Sequence, residues 1–148
     1  MSAVWLYPLI LVAGILQAMG NSMNARLRVA VVNPWLAATL SFTLIVFCFV
    51  TLFAVLPTPL PTAEGLARMP WWAPLGGLAG AVAVFGGLVL VDKVGAGPFN
   101  GLLITANILT SLGIDHFGWL GMQVHALGPG RLLGAVLMVG GIALIARG

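Results

Sequence analysis

From Leu36 to Leu56 the chain carries no ionisable side chain other than the thiol of Cys48. About 20 mostly apolar residues are what an α-helix needs to cross the hydrocarbon core of a bilayer. Four more apolar stretches share this character, at about 4–22, 72–91, 98–114 and 131–146, and the charges fall between them. With the span at 36–56, they predict an all-α polytopic membrane protein, a single transmembrane domain over 1–148 with five transmembrane helices.

Composition excludes the alternative of a water-soluble globule. Hydrophobic residues make up 61% of the 148 residues and charged ones 6%, where soluble domains carry about a quarter. Six Lys and Arg with three Asp and Glu cannot cover such a surface in water, so the lipid bilayer is the solvent for most of it. The pI near 10.0 reflects scattered basic residues that form no patch, and no nucleic-acid partner is expected. Cys48 has no second cysteine to pair with and reads as a packed thiol.

The punctuation between the runs agrees. Asn33-Pro34 precedes the second run, and Pro57, Pro59 and Pro61 follow it. Proline lacks an amide donor and biases the preceding residue away from helix, so it gathers at helix ends. Pro98 and Pro129 stand at the starts of the fourth and fifth runs, where a first-turn proline is tolerated. Trp5, Tyr7, Trp35, Trp71, Trp72 and Trp119 lie at or just outside run ends, the depth that amphipathic rings prefer. The first run has no Lys or Arg ahead of it and four runs behind it, so it is expected to be a span and not a cleaved signal. Phe117 to Gly130, with Gly118, Gly121, Gly128 and Pro129, is expected to be an interfacial loop or short helix.

With five spans, Arg26, Arg28, Lys93 and Arg147 share one side of the membrane, against Arg68 and Arg131 on the other. The positive-inside rule then favours an outside N-terminus. A margin of two charges is compatible with insertion in both orientations.

Polar residues inside the runs fall in rows. Gly14, Gln17, Asn21, Asn24 and Arg28 are spaced 3, 4, 3 and 4, which places them on one helical face. Asn100, Asn107 and Ser111, spaced 7 and 4, repeat the pattern in the fourth run, with Thr105 and Thr110 off the line. An amide row facing lipid is costly, so it should face protein or a wet cavity. Gln17, Asn21, Asn24, Asn100, Asn107 and Ser111 are therefore the candidate substrate-binding residues, and helix-to-helix hydrogen bonding is the alternative. Gly76, Gly80, Ala83 and Gly87, spaced 4, 3 and 4, form a small-residue face suited to close helix packing. Gly134 and Gly141 are a weaker version of it.

No Asp or Glu lies in the middle of a run. Asp115 and His116, at the end of the fourth, are the candidate proton-coupling pair; a solvated helix-end pair is the simpler account. His125 has no second ligand at metal spacing, so neither a metal site nor a cofactor is expected. No catalytic constellation stands out, and the chain is not expected to be an enzyme.

Several strings resemble the YdcZ-type small membrane proteins of the drug/metabolite transporter superfamily. They are Gln17-Ala-Met-Gly-Asn21-Ser-Met-Asn24-Ala-Arg26-Leu27, Trp71-Trp72-Ala-Pro-Leu-Gly76-Gly77-Leu-Ala-Gly80, Asn107-Ile-Leu-Thr-Ser-Leu-Gly-Ile-Asp115-His116-Phe117-Gly118-Trp-Leu-Gly121 and Arg131-Leu-Leu-Gly134-Ala-Val-Leu-Met-Val-Gly140-Gly141. The Ile-Asp-His-Phe-Gly motif is the most specific. Ala106-Asn107 stands where the family usually has Gly-Gln, and Ile45 where it usually has glycine after Ser41-Phe42. The resemblance implies half of a ten-helix inverted-repeat transporter fold, rebuilt by two chains with a site at their interface near the midplane. It implies an antiparallel homodimer or a paired homologous subunit, in the bacterial inner membrane.

Three functions follow as expectations. The first is a secondary transporter exporting a small organic solute or metabolite by alternating access. The second is a channel for small ions or solutes built from the same dimer, since neutral amides also line selective pores. The third is an accessory membrane subunit without transport of its own.

Overall fold

The computed structural model describes residues 6–147, which form helices, turns and loops with no strand among them. Val4 and Trp5 of the first expected span lie outside the described residues. The helices are α1 (Leu6–Val31), α2 (Pro34–Val55), α3 (Ala63–Ala67), α4 (Gly76–Val94), α5 (Ala96–Phe117) and α6 (Pro129–Ile145), with 3₁₀ turns at Ala73–Leu75 and Trp119–Gly121. A long helix thus covers each of the five apolar runs. Three stretches, Leu6–Val31, Pro34–Val55 and Ala73–Val94, are long and apolar enough to cross a membrane. Helix α5 has 22 residues, but Asn100, Asn107, Ser111, Asp115 and His116 lower its hydropathy. Helix α6 is apolar with 17 residues.

Helix α1 ends later than hydropathy suggests, continuing through Asn24, Arg26 and Arg28 to Val31. Polar side chains do not end a helix; a backbone that cannot continue does. Here Val32 takes a left-handed φ of 62°, and Pro34 cannot donate to a continuing α1. The Oδ1 of Asn33 then caps α2, accepting from the amides of Trp35 at 2.9 Å and Leu36 at 3.2 Å. The result is a tight α1–α2 hairpin.

The described chain divides into two compact units, Met1–Val91 and Asp92–Gly148. In the first, the core is made of small residues where helices touch. Ala37 and Leu88 are fully buried and Ala38 nearly so, with Leu27, Val31, Phe42, Phe85 and Val89 packed around them. Ala25 is 1% exposed. Trp35 stacks on Phe85 at 4.7 Å between ring centroids. Small side chains at the contacts let helices approach closely. Many of the other large ones, Leu44, Phe47 and Val82 among them, are exposed, as lipid-facing residues are. Beyond α2, the short α3 is capped by Thr62, whose Oγ1 accepts from the Gly65 amide at 3.1 Å. An Arg68–Glu64 ion pair at 2.6 Å braces it.

In the second unit, α5 and α6 run antiparallel. Gly101 faces Ile142, Gly97 faces Ile145 at the same end, and Asp115 faces Arg131 at the other. A Cβ on Gly101 would collide with the Ile142 side chain, so glycine sets the helix separation there. Phe99 and Ile142 are the buried apolar residues of this pair.

Candidate functional site

The face of α1 that carries the amide row is not uniform. Gln17 is exposed, Asn24 and Arg28 are half-buried, and Asn21 is buried. Burial of Asn21 depends on the small-residue face of α4: a Cβ on Gly87 would lie 3.1 Å from Asn21 Oδ1 and 3.4 Å from its Cγ. A full side chain at 87 would push the amide aside. The two rows seen in the sequence, amides on α1 and small residues on α4, therefore meet at Asn21 and Gly87. Further along α4, Ala83 is half-buried, while Gly76 and Gly80 are exposed with open space above them.

On α5, Asn100 is half-buried and its Nδ2 donates to the carbonyl of Ala96 at 2.8 Å. Asn107 and Ser111 are exposed on the single chain. The polar residue this helix buries is Thr105, whose hydroxyl donates to the Gly101 carbonyl at 2.8 Å. Spacing alone leaves it off the polar line. The same back-bond to the fourth preceding carbonyl is made by Ser22 at 3.3 Å, Thr39 at 2.9 Å and Thr51 at 2.8 Å. It satisfies a hydroxyl inside an apolar helix without any partner helix.

Asp115 and His116 sit in the last turn of α5 and bind the connection to α6. The peptide carbonyl of Asp115 accepts the His125 amide at 2.8 Å. The Nδ1 of His116 accepts the Leu127 amide at 3.4 Å. Arg131, in the first turn of α6, donates to the His125 carbonyl at 3.4 Å and stands 4.0 Å from the Asp115 carboxylate. Gly118 ends α5 in the left-handed region, φ 63°, and its amide returns to the Ile114 carbonyl, a glycine C-cap. The Ile-Asp-His-Phe-Gly motif is thus a helix terminus together with the clasp for the loop behind it. The sequence signals for this are Gly118 at the end of the motif and an arginine two residues past Pro129.

The open grooves on the two units are apolar. One of 380 Å³ between α2 and α4 is lined by Trp35, Ala38, Phe42, Leu78, Ala81, Val82 and Phe85. Another of 200 Å³ lies between α5 and α6, against Leu109, Ala135, Val136 and Val139. Among the described residues no group of three His, Cys, Asp or Glu side chains is gathered for a metal ion.

Long apolar helices with outward-facing large side chains are those of an integral membrane protein. The family model described as "Putative inner membrane exporter, YdcZ" matches residues 5–144. The chain belongs to this family of the drug/metabolite transporter type, in agreement with its motifs. No curated protein and no solved structure matches it.

Proposed function

We propose that this chain is a secondary transporter that exports a small organic solute by alternating access, working as an antiparallel dimer of two five-helix chains in the bacterial inner membrane. Helices α1, α2, α4, α5 and α6 are the five spans of this reading, and each chain supplies half of a ten-helix inverted repeat. Family membership supports export. One observation carries the rest: Gln17 on α1 and Asn107 and Ser111 on α5 are exposed on the single chain, within helices whose outward residues are mostly apolar. In hydrocarbon such amides need a second chain or water, and a solute pathway at a chain–chain interface offers both. On α1, half-buried Asn24 adds to the polar face that carries Gln17. Neutral amides suit a hydrogen-bonding organic solute better than a bare metal ion. The exposed Gly76 and Gly80 give the second chain a close approach along α4.

A ligand-stabilisation screen of purified protein against small organic solutes tests this first. A stabilising solute should then show saturable counterflow in proteoliposomes, which Gln17→Leu and Asn107→Leu abolish while insertion and dimerisation persist. Wild-type counterflow in both variants would reduce the amides to helix contacts. Ohmic conductance in place of counterflow would establish the channel.

A further inference from the structure

The loop that follows α5 has an apolar tip on a polar root. Phe117, Trp119, Leu120, Met122 and Val124 are each more than half exposed, and no residue from 117 to 124 is charged. At the root lie every charged or titratable side chain of this region: Asp115, His116, His125 and Arg131, joined by the clasp described above. The tip is ordered by its own contacts. The Phe117 and Trp119 rings stack at 5.1 Å, and the Met122 amide returns to the Trp119 carbonyl at 3.2 Å.

Backbone conformation adds a second, independent observation. Leu120 has a φ of 57°, between Gly118 at 63° and Gly121 at 73°. A left-handed conformation is sterically costly for a non-glycine residue. The two glycines carry it freely, whereas Leu120 is held there with its side chain 57% exposed. In water, nothing would offset either that strain or the exposure of five large apolar groups within eight residues. A bilayer interface offsets both, because it takes up aromatic and aliphatic side chains at headgroup level and leaves charged ones in water.

We infer that residues 117–124 form a preshaped wedge that inserts into the interfacial zone of the bilayer, with lipid as its partner. The wedge is continuous in the chain with α5 and α6, whose exposed Leu132, Leu133, Val136 and Leu137 face lipid in the five-span architecture. The inference rests on that architecture. It adds an anchor that fixes the height of the α5–α6 end relative to the membrane surface.

Spin labels test it in nanodiscs. On a Cys48→Ala background, Met122→Cys reports on the wedge and Val136→Cys on the middle of α6. Collision with oxygen, which concentrates in lipid, is compared with collision with a polar nickel chelate, which stays in water. The expected result is an intermediate depth for the label at 122 and a deep, oxygen-dominated profile at 136. A deep label at 136 with a label at 122 that meets only the nickel chelate, or is shielded from both reagents by protein, would overturn the wedge and leave the five spans standing. A label at 136 that meets the chelate freely would overturn the spans, and the wedge with them. If Met122→Cys does not yield folded protein, headgroup-proximal bromolipids should quench a variant retaining Trp119 as its sole tryptophan. Absence of that quenching would overturn the wedge equally.

Discussion

At the scale of single residues, the contact between Asn21 and Gly87 binds a polar group to a packing group. A side chain at 87 must displace the amide, so Gly87→Ala is expected to lower stability and Asn21→Ala to restore part of the loss by clearing the space. The two changes should couple by about 0.5 kcal/mol or more in a double-mutant cycle, read from thermal unfolding in detergent. Strict additivity would show that the residues do not constrain each other. Val32 offers the opposite experiment. It is 82% exposed and β-branched at a left-handed φ of 62°, so it gains nothing from packing and bears a steric cost. Val32→Gly removes that cost of roughly 1–2 kcal/mol and gives back part of it through greater freedom of the unfolded chain. A net rise of about 0.5–1 kcal/mol is expected, and an unchanged or lowered melting temperature would count against strain at this turn.

At the scale of elements, the clasp at the end of α5 assigns work to Asp115 and His116 without any proton transfer. If holding the connection is their task, Asp115→Asn should lower yield and melting temperature and leave pH-gradient-driven flux per folded molecule intact. Loss of gradient-driven flux with downhill exchange preserved would instead make the pair the coupling site. For His116 the conservative variant is informative: His116→Gln keeps an acceptor for the Leu127 amide and should retain most of the stability that His116→Ala loses, about 1 kcal/mol for one hydrogen bond. Equal loss in both would remove the ring nitrogen from the account. The existence of the long helices is legible in the sequence because hydropathy runs and prolines bracket them. Their ends are less so: polar residues from Asn24 to Arg28 resemble a loop, yet only Val32 and Pro34 stop α1. Helix α3 lies outside the apolar runs and escapes a reading by hydropathy, although Thr62 followed by Glu64 and Arg68 spells a cap and an i,i+4 pair. The amide rows are readable from spacing. That Asn21 is buried on Gly87 while Gln17 is exposed is not, because periodicity gives a face and says nothing of where along it a neighbour lies.

At the scale of the whole molecule, the single chain leaves too much unmatched surface for its polar residues. Gln17, Asn107 and Ser111 stand among exposed apolar side chains, and the charge margin that orients the chain is two. The antiparallel pair proposed above would account for both. On a Cys48→Ala background, Arg147→Cys should react with a membrane-impermeant thiol reagent from both sides of the membrane when the chain is expressed alone. Reaction from one side only would refute dual insertion and leave a paired homologous subunit as the way to complete the fold.

The hydroxyls of Thr39, Thr51 and Thr105, each bonded to its own helix, bear on the order in which the protein is made. A helix whose donors are satisfied within four residues can leave the translocon and wait in lipid alone, with no companion yet synthesised. Helix α2 carries no amide and back-bonds two of its four hydroxyls, so little of its polarity waits for a companion. Helices α1 and α5 differ, since Gln17 and Asn107 present exposed amides. Their shelter arrives with later parts of the chain, or with another chain altogether. In the proposed dimer, membrane insertion and assembly are for these two helices one event drawn out in time.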